Sequence, residues 1–244
     1  MLIKKLKPKA HFLHIGKTGG TAIKEAIGND LCSGKYYLSL HSHKVTIIDI
    51  PRGEKIFFFL RNPINRYISG FYSRFRKGAP RYNCPWSEGE KTYFEAFRTP
   101  NELALSLSAD DVELKKKAEF AMRSIGHVKT NYSYWFNGIN SLFDRIEDII
   151  FIGFQEELSH DFEKLKIKLC LPERIALPTS EVKAHKTPAF FDKKLDKEAI
   201  TNLNFWYKED LIFIEICKQL QLNQLGLIDR ISCLTYKMLN RGCI

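Results

Sequence analysis

Uninterrupted apolar runs in the sequence predict strands that are buried on both faces of a sheet. Residues 55–60 read KIFFFL and residues 149–154 read IIFIGF, without the alternation that marks a strand facing water on one side. A shorter apolar segment at residues 11–15 predicts another strand near the amino terminus. These runs favour a mostly parallel sheet.

Apolar residues recur at three- and four-residue intervals between the predicted strands. The pattern Ile64, Ile68, Phe71 and Phe75 predicts a helix that begins at Pro63 and ends near residue 76. Further helices are predicted over residues 22–27, 110–125, 157–171, 197–220 and 225–240, with loops over residues 77–91 and 177–191. Alternating strands and helices predict an α/β three-layer fold in a single domain over residues 1–244.

The chain is basic, which narrows the class of partner. Its 244 residues include 38 Lys and Arg against 28 Asp and Glu, for a net charge of +10. This excess predicts an anionic partner, but it does not choose among nucleic acid, membrane, nucleotide and acidic glycan. No apolar stretch approaches the roughly 18 residues of a membrane span, so no transmembrane segment is expected.

Six cysteines are scattered along the chain without a C-x-x-C pair, which argues against a zinc module. Reduced thiols predict a cytoplasmic protein. A domain of the Golgi lumen that lacks its membrane anchor would show the same features, so both locations stay open.

A glycine-rich turn between the first predicted strand and its helix is a candidate anion site. Residues 16–21 read GKTGGT, and the free N–H groups of a helix start attract phosphate. Lys17 adds a charge, while Thr18 and Thr21 add hydroxyl groups. The lysine precedes the paired glycines, and no strand ends in Asp, so the match to an ATP-hydrolysing Walker loop is weak. The alternative is a tight turn with no ligand.

Two motifs resemble those of sulfotransferases that use 3′-phosphoadenosine 5′-phosphosulfate, PAPS. Residues 14–21, HIGKTGGT, resemble the loop that binds the 5′-phosphosulfate, and residues 58–70, FFLRNPINRYISG, resemble the motif that binds the 3′-phosphate. The resemblance implies a P-loop-like fold and a site that needs no metal. It also implies a set of PAPS contacts, which are Lys17, Thr18, Gly19, Gly20, Thr21, Arg61 and Ser69.

Two histidines in the segment LHSHKV, residues 40–45, are candidates for the catalytic base. At positions i and i+2 of an extended segment they would share a face. The segment is similar to the H-x-H of the heparan sulfate and uronyl 2-O-sulfotransferase group. That resemblance implies that His43 takes the proton from a sugar hydroxyl, with His41 assisting. The alternative for each residue is a structural histidine.

Weaker features lie later in the chain. In the family a basic loop closes on the nucleotide, so Lys186 and Thr187 are candidate PAPS contacts, with solvated loop residues as the alternative. Arg74, Arg76, Lys77 and Arg81 line an acidic acceptor groove or form a solvated basic face. Near His127, the aromatic residues Tyr132, Trp135 and Phe136 are interpreted as a buried helix stripe rather than as a sugar-stacking surface.

The resemblance thus implies a PAPS-dependent O-sulfotransferase that modifies a hydroxyl of a carbohydrate, and the acceptor either carries acidic groups or lacks them. One alternative is a nucleotide or small-molecule kinase that uses the same loop. Another is a non-catalytic module that binds polyanions. Nucleic acid is not an expected partner, because no basic and aromatic recognition motif is present. The acceptor, the hydroxyl modified and the oligomeric state do not follow from the sequence.

Overall fold

Four parallel strands form the central sheet of the computed structural model, which describes residues 7–32, 34–180, 182 and 187–224. The strands are β1 (Lys9–Leu13), β2 (Tyr37–Leu40), β3 (Lys55–Leu60) and β4 (Ile149–Phe154). Their order across the sheet is β2-β1-β3-β4. Every pairing is parallel, and helices pack on both faces, which confirms the predicted α/β three-layer fold.

Helices connect the strands and follow the last one. Those before β4 are α1 (Gly20–Ile27), α2 (Pro63–Phe75), α3 (Glu88–Ala96), α4 (Pro100–Leu105), α5 (Val112–Ser124), α6 (Tyr132–Phe136) and α7 (Ile139–Asp144). Those after it are α8 (Leu158–Leu169), α9 (Lys197–Trp206) and α10 (Lys208–Gln224). In the part of the chain described, none of the helices combines the length and the apolar surface needed to cross a membrane.

Strand β3 is buried on both faces, as its apolar run predicts. Phe57 and Phe59 pack with residues of α1 and α8 on one face of the sheet. Phe58 and Leu60 pack with residues of α6 and α10 on the other. Because both faces of the strand are covered, every position from Ile56 to Leu60 is apolar.

A third apolar cluster holds α2 against α3, α4, α5 and α9. Phe71, Phe94, Met122 and Leu203 are fully buried in it. Because α5 packs here, the turn that follows it lies beside α2. This cluster therefore fixes residues 126–130 close to the carboxyl ends of the strands.

Three predictions of local structure are wrong. Residues 43–44 form a turn after β2 rather than an extended segment. The predicted loop over residues 77–91 already contains the start of α3, whose first turn is closed by the reciprocal hydrogen bonds of Ser87 and Glu90. The helix predicted over residues 197–220 is two helices separated at Tyr207. The helix predicted over residues 225–240 lies outside the described residues.

Candidate functional site

A cavity of about 480 Å³ lies at the carboxyl ends of the strands. The connection after β1 leads to β2 on one side, and the connection after β3 leads to β4 on the other. The crevice between such diverging connections is the usual ligand site of an open parallel sheet. The cavity is lined by His14, Lys17, Gly19, Gly20, Thr21, Ala22, His43, Arg61, Asn65, Ile68, Ser69, Arg81, Tyr82, His127, Gln155, Leu158, Thr187, Ala189 and Lys193.

The loop between β1 and α1 forms one wall of this cavity. Lys17 and Gly19 have left-handed backbone conformations, with φ of 70° and 86°. Helix α1 begins at Gly20, so its first N–H groups have no partner within the helix. A helix start of this kind favours an anion both through its N–H donors and through the helix dipole.

Gly20 is required by close packing within the loop. A Cβ atom at this position would lie 2.2 Å from Cδ2 of His14. His14 is itself buried, with 4% of its surface exposed, and cannot swing out into water. The glycine therefore allows the loop and the His14 ring to lie in contact.

Three side chains donate hydrogen bonds to carbonyl groups in and next to the loop. Nε of Arg66 donates to the Gly16 carbonyl at 3.0 Å, and Nη1 of Arg61 donates to the Lys17 carbonyl at 3.3 Å. Thr18 is fully buried, and its hydroxyl donates to the Ile15 carbonyl at 2.9 Å. The side chain of Thr18 thus stabilises the loop instead of facing the cavity.

Lys17 is a cation in an unfavourable place for a charge. Burial, followed by repulsion from Arg76, Arg61 and Arg66, lowers the pKa of Lys17 to about 7. A lysine with such a pKa gains strongly from an anion placed beside it. The loop is therefore arranged for a negatively charged ligand.

Arg61 and Ser69, the two residues named in the second motif, both line the cavity. The hydroxyl of Tyr132 accepts from the backbone N–H of Arg61 at 3.1 Å and fixes the end of β3. Nε of Arg61 is buried and has no hydrogen-bond partner among the described residues. Such a buried donor is an incomplete site that an anionic ligand would satisfy.

His43 lies on the turn after β2 and lines the cavity. Its ring centroid is 4.2 Å from that of His14, and Nε1 of Trp135 donates to its carbonyl at 2.9 Å. Loss of water around the ring, followed by the charges of Lys24 and Lys17, lowers the pKa of His43. The imidazole is therefore neutral at pH 7 and can accept a proton.

His41 is not among the residues that line the cavity. Its Nε2 lies 2.8 Å from Nδ1 of His11, and Nε2 of His11 lies 2.6 Å from a carboxylate oxygen of Glu54. The rings of His41 and His11 are stacked, whereas His43 packs on His14. The turn at residues 43–44 thus separates the two histidines that the extended pattern would have put on one face.

The predicted residues later in the chain differ in whether they line the cavity. Thr187 lines the cavity, whereas Lys186 lies outside the described residues. Arg74 belongs neither to a groove nor to a solvated face: it is buried and forms an ion pair with Glu90 at 2.6 Å. Arg81 does line the cavity.

Three aromatic residues of α6 are core, as predicted, and two of them also support the site. Tyr132, Trp135 and Phe136 are almost fully buried. Tyr132 holds the backbone of Arg61, and Trp135 holds that of His43. Their packing therefore positions a proposed phosphate ligand and a proposed base.

Sequence reasoning missed several cavity residues. Gln155 and Leu158 follow β4, and the rule that parallel strands end at one edge of the sheet could have pointed to them. His127 and Lys193 also line the cavity, but no local sequence pattern predicts that their segments reach it.

The charge of the cavity is of one sign. Lys17, Arg61, Arg81 and Lys193 contribute cations, and none of the described residues that line it is acidic. Among the described residues there is also no cluster of His, Cys, Asp and Glu that could hold a metal ion. The cavity thus fits an anion.

Comparison with known proteins adds no relative to this description. No protein-family model matches the chain, and a search of curated proteins finds no significant match. Functional inference therefore rests on the motifs and on the geometry of the cavity.

Proposed function

We propose that the protein is a PAPS-dependent O-sulfotransferase that transfers a sulfuryl group to a hydroxyl of a carbohydrate. The observation that supports this most is the meeting of three features in one cavity. These are the loop with Lys17, the pair Arg61 and Ser69, and the histidine His43. The two sequence motifs lie far apart in the chain, yet a single nucleotide could reach both of them in this cavity.

The residues fit the two phosphate positions of an adenosine 3′,5′-bisphosphate group. The loop and the start of α1 offer N–H donors for the 5′ end. The unpartnered Nε of Arg61 and the hydroxyl of Ser69 are donors for the 3′-phosphate. The absence of acidic residues among the described cavity residues agrees with a ligand of several negative charges.

PAPS would supply a sulfuryl group joined to its 5′-phosphate, which is transferred to the acceptor hydroxyl as that bond breaks. His43 accepts the hydroxyl proton, because its lowered pKa keeps the imidazole neutral at pH 7. Lys17 and the N–H groups of the loop stabilise the negative charge that grows on the departing phosphate. In-line transfer needs little beyond this positioning and charge stabilisation.

Three features support an acceptor class and a compartment. The resemblance of LHSHKV to the 2-O-sulfotransferase group supports a carbohydrate. Lys193 on the cavity wall supports an acceptor with acidic groups, and so does Arg81, which also forms an ion pair with Glu25 at 3.5 Å. The free thiols of Cys32, Cys84, Cys170 and Cys217 support a reducing compartment, the cytoplasm.

Calorimetric titration tests the nucleotide. We expect adenosine 3′,5′-bisphosphate to bind without magnesium. Tight binding of Mg-ATP together with weak binding of the bisphosphate would favour a kinase instead. Binding of sulfated glycans that is strongly salt-dependent and indifferent to nucleotide would favour a polyanion-binding module.

Radiolabelled PAPS incubated with acidic glycans, glycolipids and small sugars tests the reaction. We expect one class of acceptor to become labelled. His43→Ala should abolish this transfer and still bind the bisphosphate. His160→Ala is the matched control, since His160 is exposed on α8 and outside the cavity. Full transfer by His43→Ala would remove His43 as the base.

A further inference from the structure

A third histidine, His127, lies in the cavity beside Lys17 and His43. Its ring meets that of His43 edge to face, with centroids 6.1 Å apart. A Cβ atom at Gly16 would lie 3.4 Å from Nδ1 of His127. The ring therefore also packs against the loop between β1 and α1, residues 14–19, which is called the phosphate loop below. His127 thus contacts the two parts of the cavity between which transfer would take place.

The backbone of His127 is strained, and the strain is held by its surroundings. Its φ of 66° is left-handed, a conformation that disfavours residues with a Cβ atom. Such strain at a cavity wall is a common mark of a functional position. A Cβ atom at Gly70 would lie 3.1 Å from Cβ of His127, so α2 carries a glycine where this turn approaches it.

Three buried or partly buried hydrogen bonds fix the turn on either side of His127. The N–H of Gly126 donates to Glu90 at 3.0 Å, and the hydroxyl of Tyr207 donates to the Val128 carbonyl at 2.9 Å. Nη2 of Arg66 donates to the Thr130 carbonyl at 2.6 Å. Arg66 also holds the Gly16 carbonyl, so one side chain joins the turn to the phosphate loop.

The ring of His127 has no hydrogen-bond partner among the described residues, and the residue lines the cavity. An imidazole held this firmly, with nitrogens that no protein group occupies, can bind a ligand in the cavity. Its position between the loop and His43 places it next to the group being transferred.

Building on the proposed function, we propose that His127 contacts the sulfuryl group and donates a hydrogen bond to one of its oxygens, while His43 takes the proton. The division of roles follows from exposure and charge. His43 is exposed and can pass a proton to water, whereas His127 is enclosed by the loop, α2 and His43. Burial, followed by the charges of Lys17, His43, Arg66 and Arg74, lowers the pKa of His127 and keeps its ring in the neutral form, which has one N–H donor.

The test compares PAPS with adenosine 3′,5′-bisphosphate, which lacks the sulfuryl group. His127→Gly removes the ring and relieves the backbone strain, so the variant is expected to fold. We expect its affinity for the bisphosphate to stay unchanged and its affinity for PAPS to fall about two- to tenfold. An equal loss for both nucleotides would overturn the proposal, because it would mean that His127 only holds the phosphate loop.

Amide variants separate a hydrogen-bond donor from a proton acceptor. Asn and Gln donate an N–H but do not take up a proton, and Asn tolerates a left-handed backbone. His127→Gly is expected to lower the transfer rate about 100-fold, as for loss of one donor to the reacting group. At least one of His127→Asn and His127→Gln should recover most of this loss, and recovery by neither would overturn the donor role.

Nuclear magnetic resonance of the protein with ¹⁵N-labelled histidine adds a readout that is independent of turnover. The ring signal that His127→Asn removes should shift on addition of PAPS and stay in place with the bisphosphate. A shift with neither nucleotide would contradict the contact. If the wild-type chain binds neither nucleotide, the proposed function fails with it, whereas binding with an unchanged PAPS preference in His127→Gly overturns this inference alone.

Discussion

The guanidinium of Arg61 donates a hydrogen bond of 3.3 Å to the carbonyl oxygen of Lys17. This contact joins the end of β3 to the loop after β1, and so joins the two motifs that the sequence places 44 residues apart. Nε of the same side chain is buried and unpartnered among the described residues. Arg61 can therefore hold the loop and still bind an anion.

Replacement of Arg61 tests its second role. Arg61→Ala should weaken adenosine 3′,5′-bisphosphate binding about 10- to 100-fold, since a charge-assisted hydrogen bond to phosphate is lost. Binding of adenosine 5′-monophosphate, which has no 3′-phosphate, should weaken much less. Calorimetry measures both ligands, and Arg52→Ala is the control because Arg52 is exposed and outside the cavity. An equal loss for both nucleotides would place Arg61 in loop support alone.

Lys17 predicts a pH dependence of nucleotide binding. Its pKa of about 7 in the free protein means that it loses its charge between pH 7 and pH 8, mainly because it is buried. A bound phosphate favours the protonated form and raises the pKa, so binding takes up a proton in this range. The affinity for adenosine 3′,5′-bisphosphate should therefore fall from pH 7 to pH 9, by up to about tenfold per pH unit.

A matched variant isolates the contribution of Lys17. Arg stays charged over this range, so Lys17→Arg should bind with an affinity that changes little with pH. Titrations in buffers of different ionisation enthalpy should show proton uptake by the wild-type chain and none by the variant. The same pH slope in both proteins would assign the effect to another group.

The sequence predicted β3 and β4 more accurately than β2. Strands β3 and β4 match the segments that their apolar runs predict, because a strand covered on both faces needs apolar residues along most of its length. Strand β2 was not predicted as a strand: its residues YLSL are short and include one exposed and two half-buried positions. The start of α3 had a sequence signature in Ser87 and Glu90, which the predicted loop overlooked.

The positions of the candidate site residues also have two kinds of cause: local structure for some residues and tertiary packing for others. Lys17, Arg61 and Ser69 lie within motifs that join one strand to one helix, so their placement follows from local structure. His127 reaches the cavity because Glu90, Tyr207 and Arg66 fix its turn from three distant elements. No local sequence pattern predicts tertiary packing of this kind. The same reason explains why the sequence did not predict the burial of Arg74 against Glu90.

Trp135 is predicted to affect transfer and not nucleotide binding. Its Nε1 donates to the carbonyl of His43 at 2.9 Å, and Trp135→Phe removes this bond while keeping an aromatic ring under Arg66. The turn that holds His43 then loses a constraint, so the transfer rate should fall about fivefold to tenfold. The bisphosphate affinity should stay within twofold, roughly the scatter for a residue that does not touch the ligand.

Tyr134→Phe serves as the control for this variant, because Tyr134 is the neighbouring aromatic residue and is half exposed. It should leave both the rate and the affinity unchanged. A loss of bisphosphate affinity in Trp135→Phe as large as the loss of rate would show that Trp135 supports the whole cavity rather than the position of His43.

Gly20 provides a test of the packing of the phosphate loop against His14. Gly20→Ala places a Cβ atom 2.2 Å from Cδ2 and 2.4 Å from Nε2 of a buried ring, so the ring or the loop must move. Overpacking of this kind costs about 1–3 kcal/mol in the free energy of unfolding, measured by denaturant titration. Gly89→Ala is the control: its Cβ atom would meet nothing closer than 3.8 Å within α3, and it should be neutral or stabilising by up to about 1 kcal/mol.

The double variant Gly20→Ala, His14→Ala should recover part of the stability lost by Gly20→Ala, because removal of the ring opens space for the new methyl group. Equal losses with and without the His14 ring would show that the cost lies in the backbone of the loop and not in this contact.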